Sequence, residues 1–262
     1  MRGAGNKFLG RLAGLVILGA MLVSSLALRS TGTGSPDYTW RRIHEGGTLV
    51  VGVDPSIPPF AAFVDEGLAG IDVEVAQALG AEFGVPVRFV LVTYDGMFDA
   101  LYTGQIDLII AALRPDTNRA KQVFYTQAYF DAGQVVVGLN DALPQHLDDL
   151  SGQRVVVEFA SDGDLALRPL AGYLTIISAL SVEEAIQIVL DGEVDYALID
   201  AISARLASRT HPQLQVSDTA LVNDPYVIAM RRSDWRLYNA IENILNQWKT
   251  DGTLEAIIRR WL

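Results

Sequence analysis

Two successive sets of short apolar, β-branched runs, each run followed by an amphipathic stretch, constrain this chain more than any other feature. The first set is residues 48–53, closing on Asp54-Pro55, then 87–92 and 106–113. The second is 154–157, 174–177 and 196–199, the last closing on Asp200. Runs that are apolar apart from Arg88, Asp107, Arg154 and single threonines, rather than alternating, fit strands covered on both faces. Between them, Val73, Ala76, Leu79 and Phe83 repeat at helical spacing within 71–83. Asp95 and Gly104 frame a helix over 96–103 as cap and stop, and 116–122 opens another. In the second set a polar turn at 160–164 precedes a helix over 165–172. Ser181 and Glu184 form a capping box opening a helix to Leu190, and 203–209 is helical. Residues 133–139 and 226–230 read as strands, and helices over 235–250 and 254–261 close the chain.

Strands alternating with helices pair in parallel under a helical cover. The alternation runs once, restarts, and leaves a C-terminal segment over. The expected fold is therefore α/β with two lobes, each a mostly parallel sheet flanked by helices. Residues 48–132 form the first lobe, 133–225 the second, and 226–262 return to the first. Two crossings near 129–135 and 223–226 join them. A ligand is expected in the cleft between, because pockets favour domain interfaces and the carboxyl ends of parallel strands.

Residues 1–28 stand apart. Arg2, Lys7 and Arg11 precede an apolar run from Leu12 to Val23 and on through Leu28, with Ser25 and Ala27 as small residues. This is an export signal cleaved after Ala27 or, uncleaved, an N-terminal membrane anchor. Both put the remainder outside the cytoplasmic membrane, periplasmic or extracellular. Residues 29–47 are a linker with a flexible tether at 31–36, in which Trp40 and Ile43 form a short turn that docks. Removing the leader's three positive charges from 20 leaves 17 against 31 acids, net −14. Such a surface repels phosphate backbones, which excludes nucleic acid as a partner. The absence of cysteine excludes disulfides, thiolate metal sites and a lipid-modified cysteine. The sequence carries no metal motif, nucleophile elbow or Gly-rich phosphate loop, and neither metal nor cofactor is expected.

Several segments resemble, in order and spacing, the family 3 solute-binding proteins, the polar-amino-acid receptors of ABC importers. They are Thr48 to Asp54, Pro58-Pro59-Phe60 and Gly70-Ile71-Asp72-Val73-Glu74. Tyr94-Asp95-Gly96-Met97, Gly104 to Ile109 and Asp116 to Lys121 continue the series. Leu147 to Val157, Gly192 to Asp200 and Asn246 to Leu262 complete it. The resemblance covers 48–262 and implies a periplasmic-binding-protein fold of type II.

It also implies site residues. Arg119 matches the family arginine that takes the ligand carboxylate, and a planar guanidinium at a helix start suits that task. A solvated surface arginine is the alternative. Asp200 matches the aspartate that takes the α-ammonium, or it caps the following helix. Asp54 contacts the ligand or holds Arg119. Tyr94 stands where the family stacks an aromatic on the ligand. Ala112 offers backbone groups, and Ser161 offers an N–H and a hydroxyl to the carboxylate. Ile57 departs from an aromatic usual in the family, Arg114 from a Ser or Thr, and Asp162 from a Thr or Gly. Arg114 favours an acidic ligand group; Glu158, Asp162 and Asp54 favour a basic one; or these four pair among themselves.

The implied function is an extracytoplasmic receptor, monomeric and without catalysis. It closes on a polar amino acid by hinge motion and delivers it to ABC permease and ATPase subunits. Membrane attachment runs only through the N-terminal segment. The rival readings are an exported cyclohexadienyl or arogenate dehydratase on the same fold, with Glu158 or Asp162 as acid or base, and a ligand-binding sensor subunit.

Overall fold

The apolar runs become strands of two separate five-stranded sheets, those at 87–92 and 174–177 at an edge and the other four inside. The computed structural model describes residues 38–65 and 67–262; the leader, its cleavage point and the tether at 31–36 lie outside the described residues. In the first sheet, β1 (Leu49–Val53) lies parallel between β4 (Val87–Leu91) and β5 (Leu108–Ile109). β14 (Ala229–Arg231), from near the end of the chain, adds antiparallel to β5 and joins it to β6 (Val123–Tyr125). A small hairpin of β2 (Ala62–Val64) and β3 (Gly67–Ala69) flanks this sheet. The second sheet repeats the plan. β9 (Arg154–Glu158) lies parallel between β10 (Thr175–Ala179) and β11 (Tyr196–Asp200). β8 (Gln134–Gly138) adds antiparallel to β11, and β12 (Gln215–Val216) follows at the edge. The expected mostly parallel, two-lobe α/β fold is thus the fold observed.

β1 is buried at every residue, as its unbroken apolar run requires. The run at 106–113 is likewise buried, yet its ladder stops at Ile109. Beyond Ile110 the chain turns, and Ala112 adopts a positive φ of 44°.

Eight α-helices cover the sheets among the described residues: α1 (Tyr38–His44), α2 (Ile71–Phe83), α3 (Met97–Tyr102), α4 (Asp162–Leu167), α5 (Val182–Leu190), α6 (Ala201–Thr210), α7 (Trp235–Asp251) and α8 (Thr253–Ile258). Four local expectations are corrected. The turn at Trp40 and Ile43 is the helix α1, with Ile43 in the core. Asp95 does not cap α3, because the N–H groups of Gly96 and Met97 already bond Thr93 O. Residues 116–122 form turns, not a helix: the Asp116 carboxylate takes Asn118 N–H at 2.8 Å, an Asx turn, and β6 begins at Val123. α4 starts three residues before the expected 165, because Ser161 caps it by accepting Asp164 N–H at 3.2 Å.

The two crossings run together as a ribbon. β7 (Phe130–Asp131) pairs antiparallel with β13 (Pro225–Tyr226). The ladder continues on both sides, from Thr126 N–H on Ile228 O at 3.0 Å to Gln134 N–H on Val222 O at 2.8 Å. Away from the ribbon, Arg205 on α6 pairs with Glu255 on α8 at 3.0 Å and ties the lobes together.

Candidate functional site

The carboxyl ends of the parallel strands carry the residues singled out in the sequence. In the first lobe, β1 ends in the loop from Asp54 to Phe60. The Asp54 carboxylate accepts from Ser56 N–H at 3.0 Å and from Ser56 Oγ at 2.6 Å, a closed local turn rather than a brace for Arg119. Tyr94 follows β4 and is 64% exposed. Ala112 follows β5, and its N–H donates to Asp72 Oδ2 at 2.8 Å.

That acceptor belongs to a buried cluster. Asp72, in the first turn of α2, is fully buried, and its Oδ1 accepts from the Tyr129 hydroxyl at 2.5 Å. Burial pushes its carboxyl up to about 7, against the lowering by Tyr129 and the Ala112 N–H. The cluster pins the positive-φ turn after β5 to the first residue of the crossing, since Tyr129 N–H bonds Tyr226 O at 2.9 Å.

Arg114 emerges from that pinned turn. Its Nε and one Nη bond both carboxylate oxygens of Asp224 at 2.5 Å each, and its guanidinium lies 5.5 Å from the centroid of the Tyr226 ring. Asp224 raises the Arg114 pKa further, and Asp162, in the first turn of α4 in the other lobe, adds to that field. Of the alternatives for Arg114, pairing with Asp54, Glu158 or Asp162 gives way to this pair with Asp224. Tyr226 sits at the junction: burial raises its phenol, Arg114 opposes this, and Asp224, Asp72 and Asp200 add to it. Phe60 and Phe130 pack edge-on against and beside it, with centroids 5.0 and 6.0 Å away.

Arg119 lies elsewhere. Its guanidinium sits 4.2 Å over the Phe98 ring on α3, 3.4 Å from Asp116 Oδ2, and bonds the Tyr102 hydroxyl. These partners all belong to the first lobe. With no helix at 116–122, the helix-start argument for Arg119 has no structural basis.

In the second lobe, β9 ends at half-buried Glu158. Ser161 donates its N–H to Glu158 O at 3.2 Å while its hydroxyl caps α4. Asp200 caps α6, its Oδ1 accepting Ser203 N–H at 2.9 Å, and its charge reaches Tyr226. Phe159, 63% exposed just past β9, is a further aromatic on this wall. It falls between the strand read at 154–157 and the turn read at 160–164, and no motif marks it.

Thus Arg114 is held by Asp224 beside Tyr226 at the second crossing, and the charges of Asp162 and Asp200 act on Arg114 and Tyr226 respectively from the second lobe. Asp54, Tyr94, Ala112, Glu158 and Ser161 line the strand ends around it, and Arg119 rests on the flank of α3.

Comparison with known proteins gives four findings. The profile of the bacterial extracellular solute-binding proteins, family 3, matches residues 49–262. The L-cystine-binding protein TcyJ of Escherichia coli K12 is 27% identical over 257 residues, covering 97% of this chain and 96% of that protein. An ancestral cationic amino acid solute-binding protein is 30% identical over 85% of this chain and 99% of its own, with a TM-score of 0.57. In fold alone, an ancestral cyclohexadienyl dehydratase, 23% identical, superposes over 87% of this chain and 97% of its own with a TM-score of 0.75.

Proposed function

Because this chain belongs to the bacterial extracellular solute-binding proteins of family 3, we propose that it is the receptor of an ABC importer. It binds a polar amino acid between its lobes, outside the cytoplasmic membrane, and hands it as a monomer to permease and ATPase subunits. The observation that carries this reading is the junction at the hinge. Arg114 and Tyr226 stand there on one side, within the field of Asp162 and Asp200 on the other. An amino acid presents a carboxylate and an ammonium two bonds apart. A guanidinium fork answers the first and an opposed carboxylate the second.

In this assignment Arg114 takes the ligand carboxylate and Asp200 the ammonium. Tyr94 and Phe159 flank the ligand side chain, making good the aromatic missing at Ile57. Ala112 contributes its carbonyl, and Ser161 its hydroxyl proton. Arg119 is the second cationic candidate and reaches the cleft only by leaving the Phe98 ring. Asp54, Glu158, Asp162, Asp200 and Asp224 outnumber the two arginines, so a cationic side chain is favoured. The ligand bonds the second wall only when the ribbon bends, so it shifts the population towards closure by its differential affinity.

Isothermal titration against the twenty amino acids and L-cystine tests the proposal. Stoichiometric binding of one or a few is expected. Turnover of prephenate or arogenate to the phenyl product, without such binding, overturns it in favour of the dehydratase.

A further inference from the structure

The second crossing supplies a carboxylate that no motif announces. Asp224 immediately precedes β13, and its backbone is tied into the ribbon: its N–H bonds Asp131 Oδ1 at 2.8 Å, and its carbonyl accepts Ala132 N–H at 2.9 Å. Its side chain therefore projects from a fixed point on the hinge. Both carboxylate oxygens face Arg114, one on Nε and one on an Nη, both at 2.5 Å. This grips the side edge of the guanidinium. A guanidinium has five N–H donors in one plane, and the side-on grip occupies two of them. The end edge, carrying one N–H from each Nη, remains to meet another carboxylate. The Arg114 side chain is 64% exposed against 23% for Asp224, so the fork is presented outward while its holder is shielded. Without the holder, the four torsions of an exposed arginine wander, and a ligand must pay to order them.

Resting on the receptor reading above, we propose that Asp224 is a positioning residue: it orients Arg114 so that the end edge of the guanidinium faces the ligand carboxylate, and it does not touch the ligand itself. Because Asp224 rides on the hinge ribbon, the orientation of the fork is coupled to the angle between the lobes.

The test is titration of wild type, Asp224→Asn, Arg114→Lys and the double variant. The probes are L-arginine and L-cystine, each beside its carboxamide, in which the α-carboxylate is neutralised. Each single variant should lose about tenfold or more in affinity for the free acid, the scale of a charge-assisted bond. The double variant should lose little more than either single. The carboxamides should bind wild type and variants alike. A purely structural role for Asp224 would instead weaken acid and carboxamide together and lower the thermal transition, and that outcome overturns the proposal. So does an unchanged affinity of Asp224→Asn for an acid that wild type binds. Should Asp224→Asn fail to fold, Arg114→Lys decides: full affinity there refutes the fork. If wild type binds neither probe, the same series is run with whichever of the twenty amino acids it does bind and the matching carboxamide; binding of none of them refutes the receptor reading, and Asp224's role falls with it.

Discussion

Asp72→Asn removes a carboxyl that lies fully buried between Tyr129 and Ala112. In the unfolded chain this group ionises near 3.8; in the fold burial lifts it to about 7. Between those values the native protein holds a proton that the unfolded chain has released. Stability therefore falls as pH rises through the window, by about 1.4 kcal/mol per unit. The contribution is fully present below about pH 4 and gone above about pH 7, on the order of 4 kcal/mol in all. Asparagine has no such proton, yet it offers an oxygen to Ala112 N–H and an N–H to the Tyr129 oxygen. Urea unfolding of both proteins from pH 5 to 8 reads the difference. Wild type should lose roughly 2 kcal/mol relative to the variant between pH 5 and 7, then level off. Parallel stability curves across that range would refute the reasoning, because they would mean that the carboxyl titrates alike in both states.

Gly133→Ala places a Cβ 1.9 Å from Val222 O across the ribbon; differential scanning calorimetry should register a loss of about 1–3 kcal/mol, and an unshifted transition would contradict the backbone placement. Phe159→Ala should leave stability within about 0.5 kcal/mol yet weaken amino-acid binding roughly 2- to 10-fold, measured by titration; undiminished affinity would remove Phe159 from the wall. Arg119→Ala breaks an exposed pair, a ring contact and the bond to the exposed Tyr102 hydroxyl, so it should cost about 1 kcal/mol and retain most of the affinity that Arg114→Ala loses. The reverse pattern would move the carboxylate anchor to Arg119.

What could be read ahead of the structure was local and periodic. Apolar runs gave the strands, buried in β1 and β5 but part-exposed in the edge strands β4 and β10, and the restart of the alternation gave the second lobe, because both are set by residues close in sequence. What escaped was long-range. Arg114 and Asp224 are 110 positions apart and Asp72 and Tyr129 are 57 apart, so no spacing rule joins them. Asp72 reads as an ordinary acid in a helix's first turn, and only burial gives it another character. The misplaced helix at 116–122 shows the opposite failure. There Asp116 accepts Asn118 N–H as a helix cap would, but pairing of β6 with β14 from Val123 onward takes the chain into the sheet before a helix can continue.

The place of β14 between β5 and β6 bears on how the molecule is made. β6 reaches its sheet only through a strand formed by residues 229–231, so the lobe begun first is finished last. A nascent chain that has emerged as far as residue 228 holds a whole second sheet but a first sheet still missing its bridging strand. Completion of the first sheet must therefore await residues 229–231, leaving an interval in which the earlier lobe stays open while the later one is already whole.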